Sequence, residues 1–212
     1  TKSKDAYDHD VYVVRTDGKG APLWEKVFGG ARCDYAWSVQ QTKDGGFILA
    51  GGTESYGVGI YDVYLVRIDS AGEIIWEKTY GGAASDCGYS LLQLADGGFL
   101  IAGNTEPFGG GNPDVYLLKT DSDGSMVWQK TYGGAGSEYG WSLLEASGGG
   151  YIIAGEKEVS SDAGGWLAAY LARVDGEGNL IWEKTYGGAR GSSFYGACRV
   201  ADGYVLTGKI ES

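Results

Sequence analysis

Short runs of apolar and aromatic residues alternate with glycine-rich turns along the whole chain. One such period runs from Tyr89–Ala95 through Asp-Gly-Gly to Phe99–Glu106, and then from Asp114–Asp121 through Ser-Asp-Gly to Ser125–Tyr132. The runs are rich in β-branched and aromatic residues and lack sustained helical periodicity. Glycine-rich turns between runs of this kind indicate β-hairpins. The pattern therefore predicts four short antiparallel strands per period and an all-β fold.

The four-strand pattern recurs about every fifty residues. The tryptophan that opens each near-copy of Trp-Glu-Lys-Thr-Tyr-Gly-Gly recurs at intervals of 52, 52 and 54 residues, at Trp24, Trp76, Trp128 and Trp182. A period of this length is typical of solenoids, propellers and arrays. Four antiparallel strands make one blade of a β-propeller, whereas a sandwich has no reason to repeat a four-strand unit. We therefore predict that residues 1–212 form a single β-propeller domain, with the tryptophan motif as the structural outer strand of each blade.

A resemblance to known repeats follows from the order of these motifs. The order Asp-Gly-Gly-Phe, Ala-Gly, Asp-Val-Tyr-Leu and Trp-Glu-Lys-Thr-Tyr-Gly-Gly resembles the kelch-type propeller blade. It is still more similar to the fifty-residue propeller repeats of secreted and surface proteins of bacteria and archaea, many of which have no assigned function. The chain departs from kelch repeats because the double glycine occurs only at Gly51-Gly52 and the Tyr-to-Trp spacing is longer. The resemblance implies a propeller and a secreted or cell-surface location, but no particular kelch partner.

The phase of the repeat suggests how the ring closes. Three complete blades are predicted at residues 33–82, 86–134 and 138–188. The third and fourth strands of a further blade occupy residues 10–30, and its first and second strands occupy residues 193–211. Pairing of these two halves would hide both strand edges. We therefore predict four blades with a two-plus-two closure, and an eight-bladed ring of two chains or a piece of a longer propeller remain as alternatives.

The charge limits the partners. The chain has 28 acidic and 17 basic residues and a net charge of −11, which argues against binding to nucleic acid or to an anionic membrane surface. No apolar run reaches the roughly 18 residues of a membrane span. The three cysteines lack the spacing of a zinc site and are predicted to be small buried side chains. The expected partners are a protein, which includes a second copy of the chain, or a surface polysaccharide.

Carboxylates recur at fixed positions of the repeat. One glutamate follows the glycine of each second strand by three residues, at Glu54, Glu106, Glu158 and Glu211. Third strands begin at Asp10, Asp62 and Asp114, and the connections between blades carry Asp34, Asp86 and Glu138. All of these acids are predicted to lie on one rim of the ring. Because calcium takes oxygen ligands, Asp10, Asp62 and Asp114 are candidate metal ligands, and capping of loop amides is the structural alternative. No other cofactor is predicted.

Aromatic residues recur beside these acids, where each first strand begins near the axis: Trp37, Tyr89, Trp141 and Tyr195. Together with the four glutamates they are candidate ligand-binding residues of a sugar-binding mouth, and packing between blades is the alternative. The loops that differ most between blades are Ser55–Tyr61, Pro107–Pro113 and Val159–Ala168. Variable loops on a rigid scaffold often determine specificity, so Phe108 and Trp166 are candidate exposed anchors.

A catalytic site is not predicted. His9 is the only histidine and lies in the N-terminal tail, so neither a Ser-His-Asp triad nor a histidine metal cluster is expected to assemble in the core. The acids repeat with the blades, whereas a catalytic carboxylate pair needs unequal environments. We predict a non-catalytic propeller that serves as an adhesion, assembly or protein-interaction scaffold. The alternatives are a multivalent, lectin-like carbohydrate- or calcium-binding module and, least favoured, a carbohydrate-active enzyme.

Overall fold

Sixteen β-strands and no helix make up the described part of the chain, which a computed structural model gives for residues 8–107, 111–161, 164–187 and 191–211. The all-β prediction is confirmed. The strands are β1 (Val11–Thr16), β2 (Pro22–Phe28), β3 (Asp34–Gln41), β4 (Phe47–Thr53), β5 (Asp62–Ile68), β6 (Ile74–Tyr80), β7 (Asp86–Gln93), β8 (Phe99–Thr105), β9 (Asp114–Thr120), β10 (Met126–Tyr132), β11 (Glu138–Glu145), β12 (Tyr151–Ser161), β13 (Gly164–Val174), β14 (Leu180–Tyr186), β15 (Ser192–Val200) and β16 (Gly203–Ile210).

The strands form repeated antiparallel sheets of consecutive strands. Three sheets have four strands each, β3–β6, β7–β10 and β11–β14, and two have two strands each, β1–β2 and β15–β16. We name the four positions of a complete sheet a, b, c and d in chain order. By sequence equivalence β1 and β2 are c and d strands, and β15 and β16 are a and b strands. The predicted four-strand period is therefore confirmed, although β7 begins at Asp86, three residues before the predicted Tyr89.

The core lies between neighbouring sheets and is built mainly from b and c strands. In the first two complete sheets, Val63 and Leu65 of β5 pack in one cluster with Leu91 of β7 and Ile101 of β8. The side chains of Val63, Leu65 and Ile101 are fully buried. The d strands instead begin with two exposed residues and then alternate. Each sheet thus buries its middle strands against the next sheet in the chain.

The repeated tryptophan motif joins successive sheets. The Tyr132 hydroxyl on β10 donates a hydrogen bond to the Gly178 carbonyl in the c–d turn of the next sheet, at 2.6 Å. Tyr80 donates in the same way to the Gly124 carbonyl. Within each sheet the Glu or Gln after the tryptophan accepts a hydrogen bond from a c-strand tyrosine; for example, Gln129 accepts one from Tyr116 at 2.5 Å. Gln129 can replace the usual glutamate because the contact requires only an acceptor oxygen.

The predicted two-plus-two closure is not present in this structure. Among the described residues β1 pairs with β2 alone and β16 pairs with β15 alone, and the two pairs belong to separate sheets. The second edge of β1 and the second edge of β16 therefore have no strand partner among the described residues. The prediction assumed that four sheets complete a circle, whereas the strands of the two end sheets do not pair with each other.

One predicted loop is a hairpin extension. Most of Val159–Ala168 belongs to β12 and β13, and Val159 pairs with Trp166 across the two strands. The loop prediction was wrong here because Val159, Trp166 and Leu167 have high β propensity and extend the hairpin beyond the repeat period. Trp166 is partly buried, and the other candidate anchor, Phe108, lies outside the described residues.

No disulfide joins the three cysteines; Cys87 is buried, as predicted, but Cys33 is partly exposed and Cys198 is exposed. Within the part of the chain that the structure describes, no helix has the length and apolar character that a membrane crossing requires.

Candidate binding surface on the first strands

Each a strand contains one extra residue that has no partner on the b strand with which it pairs. In the first complete sheet Ala36 pairs with Gly51 and Ser38 pairs with Ala50, so that Trp37 has no partner. The same shift in the other sheets gives the unpaired residues Tyr89, Trp141 and Tyr195. A β-bulge bends the strand and redirects the side chain of the extra residue. All four aromatic residues that the sequence singled out are therefore bulge residues.

The glycine that ends the Ala-Gly motif makes this bulge possible. A methyl group on Gly51 would overlap the carbonyl oxygen of Tyr35, on the residue before the bulge pair. Equivalent overlaps would occur at Gly103, Gly155 and Gly208, each with an a-strand carbonyl oxygen. Only glycine permits such a close approach of two backbones. The recurrence of this glycine is thus explained by the bulge that presents the aromatic side chain.

The four bulge residues form one continuous aromatic row. The ring centroids of Trp37 and Tyr89 are 5.0 Å apart, those of Tyr89 and Trp141 are 4.4 Å apart, and those of Trp141 and Tyr195 are 6.3 Å apart. These distances lie in or just below the range of favourable aromatic pairs. The two end residues are half exposed, Trp37 at 48% and Tyr195 at 50%. The row is therefore connected and accessible at its ends.

A second set of aromatic residues supports the row and was not predicted. Tyr35 stacks on Trp37 with a centroid distance of 5.7 Å, and Tyr139 stacks on Trp141 at 5.3 Å. Both tyrosines directly follow an acid that opens an a strand. That position reads Tyr, Cys, Tyr and Ser in the four copies, so the sequence offered only a weak signal. His9 extends the cluster by stacking on Tyr35 at 5.8 Å.

The four predicted glutamates occupy equivalent backbone positions but differ in their side-chain environments. In all four copies the backbone N–H of the glutamate donates a hydrogen bond to the carbonyl of the residue immediately before the a strand. In the first copy Glu54 donates to the carbonyl of Cys33 at 2.8 Å. Burial, followed by a hydrogen bond to Glu54, raises the pKa of Tyr61 above its usual value. The Glu158 carboxylate accepts the Ser137 N–H at 3.1 Å, and Glu211 is exposed. Glu54 and Glu106 are close enough to row or supporting tyrosines for their charges to act on them.

The other predicted rim acids lie in pairs at the sheet junctions, by which we mean the glycine that follows each d strand and the residues around it. At Gly81 a methyl group would be 2.8 Å from Oδ1 of Asp62 and would overlap Oδ2 of Asp86. Gly29 lies in the same way between Asp10 and Asp34, and Gly133 lies between Asp114 and Glu138. In the fourth copy the two acid positions hold Ala168 and Ser192 instead. Three junctions thus hold a carboxylate pair, and one holds a neutral pair.

Backbone N–H groups of loops donate hydrogen bonds to two of these carboxylates, Asp62 and Asp86. Asp62 accepts the Val58 and Gly59 N–H groups at 2.9 and 2.8 Å, and Asp86 accepts the Gly82 N–H at 2.7 Å. Burial raises the pKa of Asp86, and the charge of Asp62 adds to this, whereas hydrogen bonds from Thr105 and Gly82 oppose it. Burial likewise raises the pKa of Glu138. The amide-capping alternative therefore describes these two aspartates.

The candidate metal ligands Asp10, Asp62 and Asp114 are not brought together, because each belongs to a different junction. The described residues contain no group of three or more His, Cys, Asp or Glu side chains arranged to hold a metal ion. Within the described part of the chain, Oδ1 of Asp10 and Oδ1 of Asp114 are buried and make no hydrogen bond. In the neutral junction, by contrast, the Ser192 hydroxyl donates to the Tyr186 carbonyl at 2.8 Å and accepts the Ala169 N–H at 2.9 Å.

Comparisons with known proteins identify a distant relative. No family model matches the chain. The chain is similar to the regulatory protein FlaEY of Caulobacter vibrioides, with 24% identity over 158 residues, which cover 64% of this chain and 17% of FlaEY. The chain thus matches about one sixth of a much longer relative.

Proposed function

We propose that the repeated sheets are blades of a β-propeller and that the molecule is a non-catalytic interaction scaffold for adhesion or assembly at the cell surface or outside the cell. The support for the propeller is the four-strand period, the burial of b and c strands against the next sheet, and the contact of successive a strands through the aromatic row. In a propeller the inner strands of neighbouring blades approach one another around an axis. The a strands occupy that place in this proposal.

The aromatic row carries the proposal of a binding role. Four bulges, each requiring a glycine opposite, place one aromatic side chain per sheet out of the strand ladder. Bulges cost ladder hydrogen bonds and are over-represented next to functional sites. Exposed aromatic residues on a rigid base lose little conformational entropy on binding and are enriched among interface hot spots. We infer that the row contacts the partner.

The acids support a scaffold rather than a catalyst. Asp62 and Asp86 accept hydrogen bonds from backbone amides of neighbouring loops and so contribute to the shape of the rim. FlaEY is named a regulatory protein, which is compatible with an interaction role for the matched region. The partner that we propose is a protein or a surface polysaccharide.

A comparison of two variants tests the scaffold proposal. The double substitution Trp37→Ala and Tyr195→Ala removes the exposed ends of the row, and Ile75→Ala removes an apolar side chain of similar exposure on β6. We expect proteins enriched on the wild-type chain to be lost with the row variant and kept with Ile75→Ala, and the purified candidates to reproduce the difference. Equal binding to both variants would overturn the proposal.

Carbohydrate binding at the same row is a second candidate. Aromatic rings stack on the apolar faces of sugars, and the charges of Glu54 and Glu106 act on the supporting Tyr35 and on Tyr89 of the row. A glycan array followed by tryptophan fluorescence titration tests this candidate, because Trp37 is half exposed. Saturable quenching that disappears in the row variant would support it. No glycan signal would remove it.

A calcium site at the carboxylate pairs is a third candidate, favoured by the unpartnered Oδ1 atoms of Asp10 and Asp114. A cation at such a junction would offset the repulsion between two buried carboxylates. Melting curves with calcium and with a chelator test it. A melting temperature that rises with calcium in the wild type and is unresponsive in the double variant Asp10→Asn, Asp114→Asn would support the candidate, and identical curves would exclude it.

A further inference from the structure

We propose that the free edges of β1 and β16 form an interface for a second copy of this chain, with β16 of one copy pairing with β1 of the other. The proposal rests on the propeller arrangement proposed above. It assigns an occupant to the two strand edges that have no partner among the described residues. Three observations, on different elements, support it.

The first observation is the register of the complete sheets. In each of them the b strand pairs with the c strand, and the glycine of the Ala-Gly motif lies opposite the c-strand tyrosine: Gly51 with Tyr64, Gly103 with Tyr116, and Gly155 with Tyr170. The equivalent residues at the free edges are Gly208 on β16 and Tyr12 on β1. Pairing in the same register places Val205 opposite Arg15 and Leu206 opposite Val14. The two edges are therefore complementary halves of one repeated sheet.

Burial at the free edges shows what these halves lack. Tyr12 is 61% exposed, whereas the equivalent Tyr64, Tyr116 and Tyr170 are at most 3% exposed. Val205 is 55% exposed, and the equivalent Ile48, Leu100 and Ile152 are fully buried. Apolar side chains on an unpaired strand edge are normally covered, because such an edge promotes association. A b strand beside Tyr12 and a c strand beside Val205 would restore the burial seen in the complete sheets.

The second observation is that, in the part of the chain that the structure describes, Tyr186 on β14 does not make the hydrogen bond that the equivalent tyrosines of earlier d strands make to the next sheet. On the preceding d strand, Tyr132 donates its hydroxyl hydrogen bond to Gly178 in the c–d turn of the next sheet. The sheet after β14 has only a and b strands, so the equivalent Tyr186 has no c–d turn to contact and is 42% exposed. The c–d turn at the other end of the chain contains Gly20, and open space surrounds it. A second copy would bring its Gly20 turn to Tyr186 of the first.

The third observation is that the aromatic row has two open ends. Trp37 and Tyr195 each have a row neighbour on one side only, whereas Tyr89 and Trp141 have one on both sides. When β16 pairs with β1 of a second copy, the a strand of the first copy that carries Tyr195 comes next to the a strand of the second copy that carries Trp37. The row would then continue across the interface as it does between sheets within the chain.

A second copy fits better than closure of the chain on itself. The two halves lie at opposite ends of the array and do not pair with each other in the chain. Two copies supply six complete sheets and two completed pairs of halves, a total of eight, which is within the range of four to eight blades in common propellers. The contact is also reciprocal: β16 of each copy meets β1 of the other, as a two-fold symmetric dimer requires.

Mass measurements on two matched variants test the interface. Val205→Lys places a charge at the free edge, and Ile75→Lys places the same charge at an equally exposed position of β6. We expect light scattering after gel filtration to give twice the 22.4 kDa of one chain for the wild type and Ile75→Lys. For Val205→Lys we expect the dissociation constant to rise about a hundredfold or more, because the pairing would bury an unpaired ammonium. A wild type at the mass of one chain would overturn the proposal.

Disulfide trapping distinguishes the possible occupants of the edges. Arg15→Cys and Val205→Cys are made separately with Cys33→Ala and Cys198→Ala, and Cys87 is kept because it is buried. We expect a disulfide-linked pair of chains only when the two variants are mixed, because only then do the two new thiols face each other across the strands. A disulfide within one chain that carries both substitutions, or no cross-link in the mixture, would contradict the proposal. Either failure would leave the role of the aromatic row to be tested by its own binding experiment.

Discussion

The carbonyl oxygen of Tyr35 lies so close to the Cα atom of Gly51 that no side chain fits between them. The close approach follows from the bulge, which inserts Trp37 between two paired residues of β3. One glycine thus allows an aromatic side chain to leave the strand ladder. Because the same relationship recurs in all four copies, the aromatic row depends on it.

Replacing Gly51 by alanine tests this dependence. A methyl group there must displace backbone rather than a flexible side chain, so we expect Gly51→Ala to lower the free energy of unfolding by about 3 kcal/mol or more. Gly82→Ala is the control, because open space surrounds Gly82, and its effect is expected to be below about 1 kcal/mol. Urea unfolding followed by tryptophan fluorescence measures both. Equal effects would show that the bulge does not require the glycine.

The tyrosine hydrogen bond that joins successive sheets gives a second prediction. Tyr132→Phe removes the hydrogen bond to the Gly178 carbonyl and leaves that acceptor in a partly buried site. We expect a loss of about 1 kcal/mol in the free energy of unfolding. Tyr186→Phe is the matched change on β14, where no c–d turn follows within the chain. It should have almost no effect on an isolated chain, and thermal unfolding at low protein concentration would reveal any unexpected loss.

The buried carboxylate pair gives a pH-dependent prediction. Burial and the charge of Asp62 raise the pKa of Asp86, so its protonated form is favoured in the folded state, and the associated stability is lost as the pH rises through the folded pKa. Asp86→Asn removes the titrating carboxyl group and with it this loss of stability. The stability of Asp86→Asn relative to the wild type should therefore increase from pH 4 to pH 7.

Asp44 is the control of opposite sign. Its pKa is lowered, first by the hydrogen bond from Thr42 and also by the Gly46 amide and the charge of Arg67. The stability that it contributes is present above its unfolded pKa and is lost as the pH falls. The stability of Asp44→Asn relative to the wild type should therefore decrease as the pH rises from about 2 to about 5, across the lowered folded pKa and the unfolded pKa of about 3.9. Parallel pH profiles of the two variants would contradict the assignment of Asp86 as a destabilised carboxylate.

The packing between sheets gives a fourth prediction. Ile101 of β8 is fully buried in the core between the first two complete sheets, where it packs in one cluster with Val63 and Leu65 of β5. Ile75, by contrast, is the exposed bulge residue of β6. We expect Ile101→Ala to lower the free energy of unfolding by about 2–5 kcal/mol and Ile75→Ala to change it by less than about 0.5 kcal/mol. Chemical denaturation distinguishes the two. A small effect at Ile101 would mean that neighbouring sheets do not form a common core.

The sequence predicted the strand pattern and its period because alternation, glycine turns and the spacing of Trp76 and its equivalents are local signals. It also singled out Trp37 and its equivalents, although the bulge that exposes them depends on a pairing that Gly51 makes with a different strand. Closure between β1 and β16 depends on the curvature of the whole array, which no local motif records. The pairing of Asp62 with Asp86 was likewise hidden, because it joins positions 24 residues apart in sequence.

A crystal structure of the 212-residue chain, at a resolution that defines strand register, tests the central claim most directly. The account predicts complete sheets arranged as blades around an axis, with the aromatic row on the innermost strands and Gly208 of one copy opposite Tyr12 of another. Sheets stacked without a common axis, or an aromatic row covered by the chain's own strands, would contradict it.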